Sequence, residues 1–176
     1  MIFENIFSHK KIITKKEQKF LLDWIFKNED EFHANYAGPH RKFLTLHKIE
    51  DVPELFYEIK ERILKREKIT EWKLDPFFGD IITFNTTGGF IHNHRDEAEP
   101  NKDHIRFNLF LSKPKKGGDP ILMDKKLQFE EREYIKYYVN KQWHSSLPVE
   151  GDKPRIAISY GISVDNIGNK SQINTR

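Results

Sequence analysis

The sequence predicts a mainly β fold with helices at its N-terminal end: a sandwich or barrel backed by two helices. Three observations lead there. Apolar residues recur at helical spacing before Lys68, the period changes to two after Trp72, and the pairs Gly88-Gly89 and Gly117-Gly118 punctuate the later segments. A chain of 176 residues fits one domain, with 1–70 as helical support, 72–164 as the β core and 165–176 as a polar tail.

Thr14-Lys15-Lys16-Glu17 has the form of a capping box. Phe20, Leu21, Trp24 and Ile25 follow on one helical face, so a helix is expected from about 15 to 30. Pro53 suits the first position of a second helix, and Leu55, Phe56, Ile59, Ile63 and Leu64 continue the period to about Lys68. Beyond it 78–85, 89–94, 104–112, 120–123 and 155–163 read as extended, in an array of about eight short strands. The stretch 127–140 admits a helical turn or strands, and is read as strands.

Composition excludes several classes. Lys and Arg number 30 against 27 Asp and Glu, a net charge of +3. The signs are interleaved, as in 60–68, and the purely basic cluster Lys113, Lys115, Lys116 flanks Pro114 in an expected turn. No basic stripe marks a nucleic-acid face. There is no cysteine, hence no disulfide framework, thiolate zinc site or thiol nucleophile. No segment approaches the ~20 apolar residues of a membrane span, and Glu4, Asn5 and His9 break the opening segment, so a cytoplasmic protein is expected. Fourteen Phe, six Tyr and three Trp let a modest apolar count fill a core.

The chemistry concentrates around Ile91-His92-Asn93-His94-Arg95-Asp96. In an extended chain His94 and Asp96 point to one side and can offer an imidazole nitrogen and a carboxylate oxygen to one metal. His144, in Trp143-His144-Ser145-Ser146, supplies a third ligand if the strands fold back on each other. Two His and one carboxylate leave open positions on ferrous iron. Each element alone also arises by chance in a chain with eight His. Parity puts Arg155, Ala157, Ser159 and Gly161 on one strand face and Ile156, Ile158 and Tyr160 on the other. If buried, Arg155 needs an anionic partner, which a carboxylate satisfies in bidentate fashion; otherwise it reaches solvent at a strand start. His104, Arg106, Asn108 and Phe110 share a face that either lines a cavity or meets solvent, opposite the apolar Ile105, Phe107, Leu109 and Leu111.

Together these pieces resemble the iron(II) and 2-oxoglutarate-dependent dioxygenases, in particular small bacterial and phage forms. The resemblance spans Phe78 to Ser163 and rests on the H-x-D pair, the distal His and the Arg eleven residues later, with HIRFNLFLSKPKKGGDPI between. It implies a double-stranded β-helix, or jelly-roll, with helices packed on the major sheet. It implies Fe(II) held by His94, Asp96 and His144, and 2-oxoglutarate held by Arg155, helped by Ser159, Asn108 and Arg106. His92 and Trp143 would lie near substrate or behind the ligands. The implied reaction consumes O2, decarboxylates 2-oxoglutarate to succinate and hydroxylates a C–H bond, with ascorbate as a stimulant. Halogenating relatives carry a small residue in place of the metal carboxylate, whereas Asp96 is present here. Ser159 departs from the pattern, since many relatives place the hydroxyl residue two positions after the Arg, where this chain has Ala157. The substrate is expected to be a small molecule or peptide, read by loops at 32–43, 97–103 and 125–138; neither it nor the oligomeric state is legible. Two other readings stand beside this one: a cupin using His92, His94, Glu99 and His144, and a binding module without catalysis on the same barrel.

Overall fold

The capping box closes as the sequence requires. The Thr14 amide donates to Glu17 Oε2 at 2.7 Å and the Glu17 amide to Thr14 Oγ1 at 3.2 Å, which starts helix α1 at Lys15–Lys27. In this computed structural model, which describes residues 7–8, 11–34 and 40–166, α1 ends at Asn28 and a single 3-10 turn, Glu29–Glu31, follows. Leu21 and Ile25 form the buried stripe, with Leu22 and Trp24 packed beside it. Phe20, expected on that stripe, is 47% exposed; it lies one residue, about 100°, around the helix from Leu21. Helix α2, Leu55–Arg66, begins just after Pro53 and buries Phe56, Ile59, Ile63 and Leu64. Its Lys60 is also buried, satisfied by both oxygens of Asp80 at 2.9 Å.

The strands, in chain order, begin with β1 (Phe7–Ser8), β2 (His33–Ala34), β3 (Arg41–Thr45), β4 (Lys73–Leu74) and β5 (Ile81–Asn85). They continue with β6 (Ile91–His94), β7 (Lys102–Ser112), β8 (Lys116–Gly117), β9 (Pro120–Leu122) and β10 (Lys125–Lys126). The last four are β11 (Tyr134–Tyr138), β12 (His144–Ser146), β13 (Val149–Glu150) and β14 (Arg155–Asp165). This exceeds the expected eight because several are two-residue ladders, and because β1 to β3 come from the region expected to be helical. The end of the loop expected at 32–43 is strand instead: 41–43 belong to β3 of the larger sheet. Of 127–140, only 134–138 is strand, after a turn at 131–132.

The larger sheet runs β1-β11-β7-β14-β5-β3-β2, with β4 also paired to β14. The smaller runs β10-β9-β12-β6, and β8 pairs with β13. All pairings are antiparallel. The period-two reading of the long strands holds. Ile105, Phe107, Leu109 and Leu111 of β7, with Ile156, Ile158, Tyr160 and Ile162 of β14, join the helices in one core. Burying side chains of this kind contributes about 1.5–3 kcal/mol each. The opposite face of the larger sheet turns toward the smaller one, where Phe110, Ala157 and Ile135 pack with Leu122, Leu127 and Phe129. The fold is thus a jelly-roll with helices on its major sheet, and the inner face is left to polar residues around that second cluster. No helix among the described residues is long and apolar enough to cross a membrane. The tail expected from 165 lies, from 167 onward, outside the described residues.

Candidate metal centre and ligand cavity

Strand register builds the centre. His144 of β12 is the direct cross-strand partner of His94 of β6, and their ring centroids are 4.3 Å apart. Asp96 follows β6, its amide donating to the Val139 carbonyl at 2.9 Å. His94 Nε2 lies 3.2 Å, and His144 Nε2 3.7 Å, from Asp96 Oδ1. The ligand atoms of the three residues lie within 4.8 Å of one another, the one such cluster among the described residues.

Both rings are oriented by their own strands. His94 Nδ1 is 2.7 Å from the His92 carbonyl and His144 Nδ1 is 3.0 Å from the Gln142 carbonyl, each two residues back. A carbonyl can only accept, so each Nδ1 carries a proton, and each Nε2 faces Asp96, where it donates when the ring is protonated and offers a lone pair when the ring is neutral. The hydrogen bond to Asp96 raises the His94 pKa despite partial burial. Desolvation pulls His144 down to about 4, against the pull of Asp96. Burial works against the Asp96 carboxylate, yet His94, His144 and Arg106 together hold its pKa below the ordinary value.

A cavity of about 80 Å³ between the two sheets joins this cluster to Arg41, Arg106, Tyr137 and Arg155. A narrower extension of about 20 Å³ shares Asn108, Tyr137, His144 and Arg155 with it. Arg155 is 3% exposed, and its Nε and Nη1 have no hydrogen-bond partner among the described residues. Its guanidinium sits 5.3 Å over the Phe110 ring, and desolvation lowers its pKa to about 10. Asn108 Nδ2 donates to the Tyr137 hydroxyl at 2.8 Å, leaving Asn108 Oδ1 unpaired.

Arg106 lies in the same wall but its charge is met. It pairs with buried Asp75 and donates to the Gly79 carbonyl at 2.9 Å. Ser159 Oγ is 3.5 Å from Arg106 Nη1, so the serine belongs to this network as well as to the cavity wall. The sequence-derived residues His94, Asp96, His144, Arg155, Ser159, Asn108 and Arg106 therefore gather around one cavity. His92 and Trp143 do not line it. His92 is exposed, its ring against Phe90, and only its carbonyl reaches the centre. Trp143 is 44% exposed with Arg95 over its ring at 4.9 Å. Glu99, which the cupin reading needs beside His92 and His94, accepts from Ser163 at 3.1 Å and lies outside the cluster. Sequence reasoning missed Arg41, Tyr137 and the Asp75 partner. Period two along β11 pairs Tyr137 with inward-facing Ile135, a signal hidden by the helix-or-strand ambiguity.

No protein-family model matches the chain, and no curated protein sequence does. Solved structures do match. The chain is similar to a viral collagen prolyl hydroxylase from Paramecium Bursaria Chlorella virus-1, solved as a 2-oxoglutarate complex, with 13% identity, TM-score 0.68 and coverage of 92% of this chain and 98% of that one. A Trichoplax adhaerens prolyl hydroxylase, in complex with a hypoxia inducible factor oxygen degradation domain peptide, gives 10% identity, TM-score 0.70 and coverage of 98% and 89%. HygX from Streptomyces hygroscopicus, with nickel and 2-oxoglutarate bound, gives 8% identity, TM-score 0.67 and coverage of 90% and 82%. The chain shares the fold of these proteins over nearly its whole described length.

Proposed function

We propose that the protein is an Fe(II)- and 2-oxoglutarate-dependent oxygenase that hydroxylates a C–H bond of a small-molecule or peptide substrate. The observation that carries this reading is the pairing of a ready His94–Asp96–His144 ligand set with a buried, unpartnered Arg155 in one cavity. The donor set suits ferrous iron: two neutral imidazoles offering Nε2, and one carboxylate. The unmet donors of Arg155 suit a carboxylate at the far end of a keto diacid. Structural neighbours solved with 2-oxoglutarate, one of them also with nickel, add support.

The chemistry that bound iron and keto acid supply is oxygen activation: one atom of O2 ends in succinate, the other in the hydroxylated product, and CO2 leaves. The chain's own part is placement. The Gln142 and His92 carbonyls fix the imidazoles, and Arg155 with the Tyr137 hydroxyl holds the distal carboxylate. Asn108 steadies Tyr137. Arg106, neutralised by Asp75, acts as a wall that positions Ser159. Phe78, 5.6 Å from the Arg106 guanidinium, helps to keep water from the cavity, where exclusion strengthens every charge interaction.

Anaerobic addition of Fe(II) and 2-oxoglutarate should give a visible charge-transfer absorption and one tightly held iron per chain, both lost in Asp96→Ala. Failure of the wild-type chain to take up either would replace the oxygenase with a plain binding module. A succinate-release screen over amino acids, peptides and nucleotides, with ascorbate present, then addresses the substrate.

A further inference from the structure

Arg155 is not alone in lacking a partner. Arg41, the first residue of β3, is the cross-strand neighbour of Asn85, which is in turn the neighbour of Arg155. The three form a polar row across the larger sheet. Arg41 lines the same cavity as His94, Asp96 and His144. The residue is half-buried, but its Nε is enclosed and has no hydrogen-bond partner among the described residues, and no carboxylate there forms an ion pair with the side chain. Burial lowers its pKa to about 10. Both arginines feel Tyr137, and Arg155 also feels Arg41. What separates them is that Arg41 is within electrostatic reach of the metal ligands Asp96 and His94, whereas Arg155 is influenced by Asp119.

A buried cation is costly without a counter-charge, and the charges of the oxygenase reading do not supply one. Asp75 neutralises Arg106. Ferrous iron on two neutral imidazoles and Asp96 keeps one positive charge, and a 2-oxoglutarate dianion on Arg155 keeps one negative. The pair cancels, and the Arg41 charge is left over at the metal end of the cavity, where substrate must sit.

Resting on that reading, we infer that Arg41 anchors a carboxylate of the substrate, so that the enzyme acts on an organic acid or an acidic peptide end. A carboxylate matches the guanidinium edge and carries the single negative charge the count requires. A phosphate monoester, with about −1.5 to −2 at neutral pH, would overshoot it. The other source of a carboxylate is the metal-chelating end of 2-oxoglutarate itself, and the test separates the two.

Wild type and Arg41→Met are compared by three measurements. One is the melting temperature without ligand. Another is 2-oxoglutarate affinity with Fe(II) under anaerobic conditions. The third is the change in the charge-transfer absorption, and in succinate release, caused by hydroxy, amino and N-acyl acids and short peptides, each beside its primary amide. Acids but not amides should respond. Arg41→Met should weaken the acids at least about tenfold while leaving 2-oxoglutarate within about twofold, and should melt no lower than wild type because an unpaired buried charge has gone. Loss of 2-oxoglutarate affinity in the variant would give Arg41 to the cosubstrate instead. Equal responses to acid and amide, no response to any acid, or a melting point several degrees lower would also overturn the inference. If wild type itself gives no absorption with iron and 2-oxoglutarate, the oxygenase reading is what fails, and the inference goes with it.

Discussion

Replacing Arg155 with Met should move two quantities in opposite directions. Met keeps an unbranched chain against Gly118 and under the Phe110 ring, which the Arg155 side chain now contacts. It removes a charge whose Nε and Nη1 are unmet in the ligand-free protein. Unsatisfied buried polar groups cost about 1–3 kcal/mol, so the ligand-free variant should gain that order of stability. At this chain length, each kcal/mol raises the melting temperature by about 2–4 °C. With 2-oxoglutarate the sign reverses. Breaking a buried, hydrogen-bonded ion pair costs about 3–5 kcal/mol, a fall in affinity of about 10²- to 10³-fold or somewhat more. Thermal unfolding with and without 2-oxoglutarate, using Mn(II) so that no oxygen chemistry intervenes, reads both effects. Ligand at about 100 times its Kd should stabilise wild type by about 2.7 kcal/mol and leave the variant unmoved. A variant that melts lower than wild type yet still rises with 2-oxoglutarate would make Arg155 a structural cation and refute the argument.

Thr14→Ala removes the hydroxyl that caps α1 and should cost about 1 kcal/mol in urea unfolding. Gly161→Ala would put a Cβ 2.6 Å from the Gly79 carbonyl and 2.9 Å from Arg106 Cζ; overpacking of this kind costs about 1–3 kcal/mol, and the wall should shift enough to weaken 2-oxoglutarate binding as well. Glu131 ties α1 to the loops through Gln18, the Lys113 amide and Lys153. Burial pushes its carboxyl up, but Lys153, the Lys113 amide and Gln18 outweigh that and hold its pKa below the ordinary 4.5. Its contribution is therefore complete above 4.5 and lost as pH falls through the folded value. The stability gap between wild type and Glu131→Gln in urea should be widest near neutrality and shrink as pH falls below 4.5.

The long strands were legible because each has one face in a continuous core. The alternation of Ile105, Phe107, Leu109 and Leu111, or of Ile156, Ile158 and Tyr160, survives in the sequence as period two and puts Arg106, Asn108, Arg155 and Ser159 on the face away from the core, which alternation alone leaves as either cavity wall or solvent surface. His94 and Asp96 were legible as neighbours, and His144 as their third partner only through chemistry, since register with His94 depends on a pairing 50 residues away in the chain. Arg41 was hidden for a different reason. Its strand is short, flanked by Pro39, Gly38 and polar residues, and carries one buried apolar residue, Leu44, which is too little to show a period. The Asp75–Arg106 pair joins a loop to a strand 31 residues later, and no local pattern encodes such a partnership. Trp143 stands next to His144, and adjacent residues in a strand take opposite faces; His92 shares parity with His94, but β6 is the edge of the smaller sheet and the ring lies exposed against Phe90.

The position of β14 in the larger sheet also bears on how the molecule is made. That strand is the seam between β7 and β5, and it follows both of them in the chain. Until Arg155–Asp165 is in place, β7 and β5 have no common neighbour, and the helices lack the Ile156, Ile158, Tyr160 and Ile162 part of their core. The pocket, whose wall includes Arg155 and Ser159, therefore cannot exist before that strand is made. A chain cut short before Arg155 would present the edges of β7 and β5 unpaired and would lack the cavity.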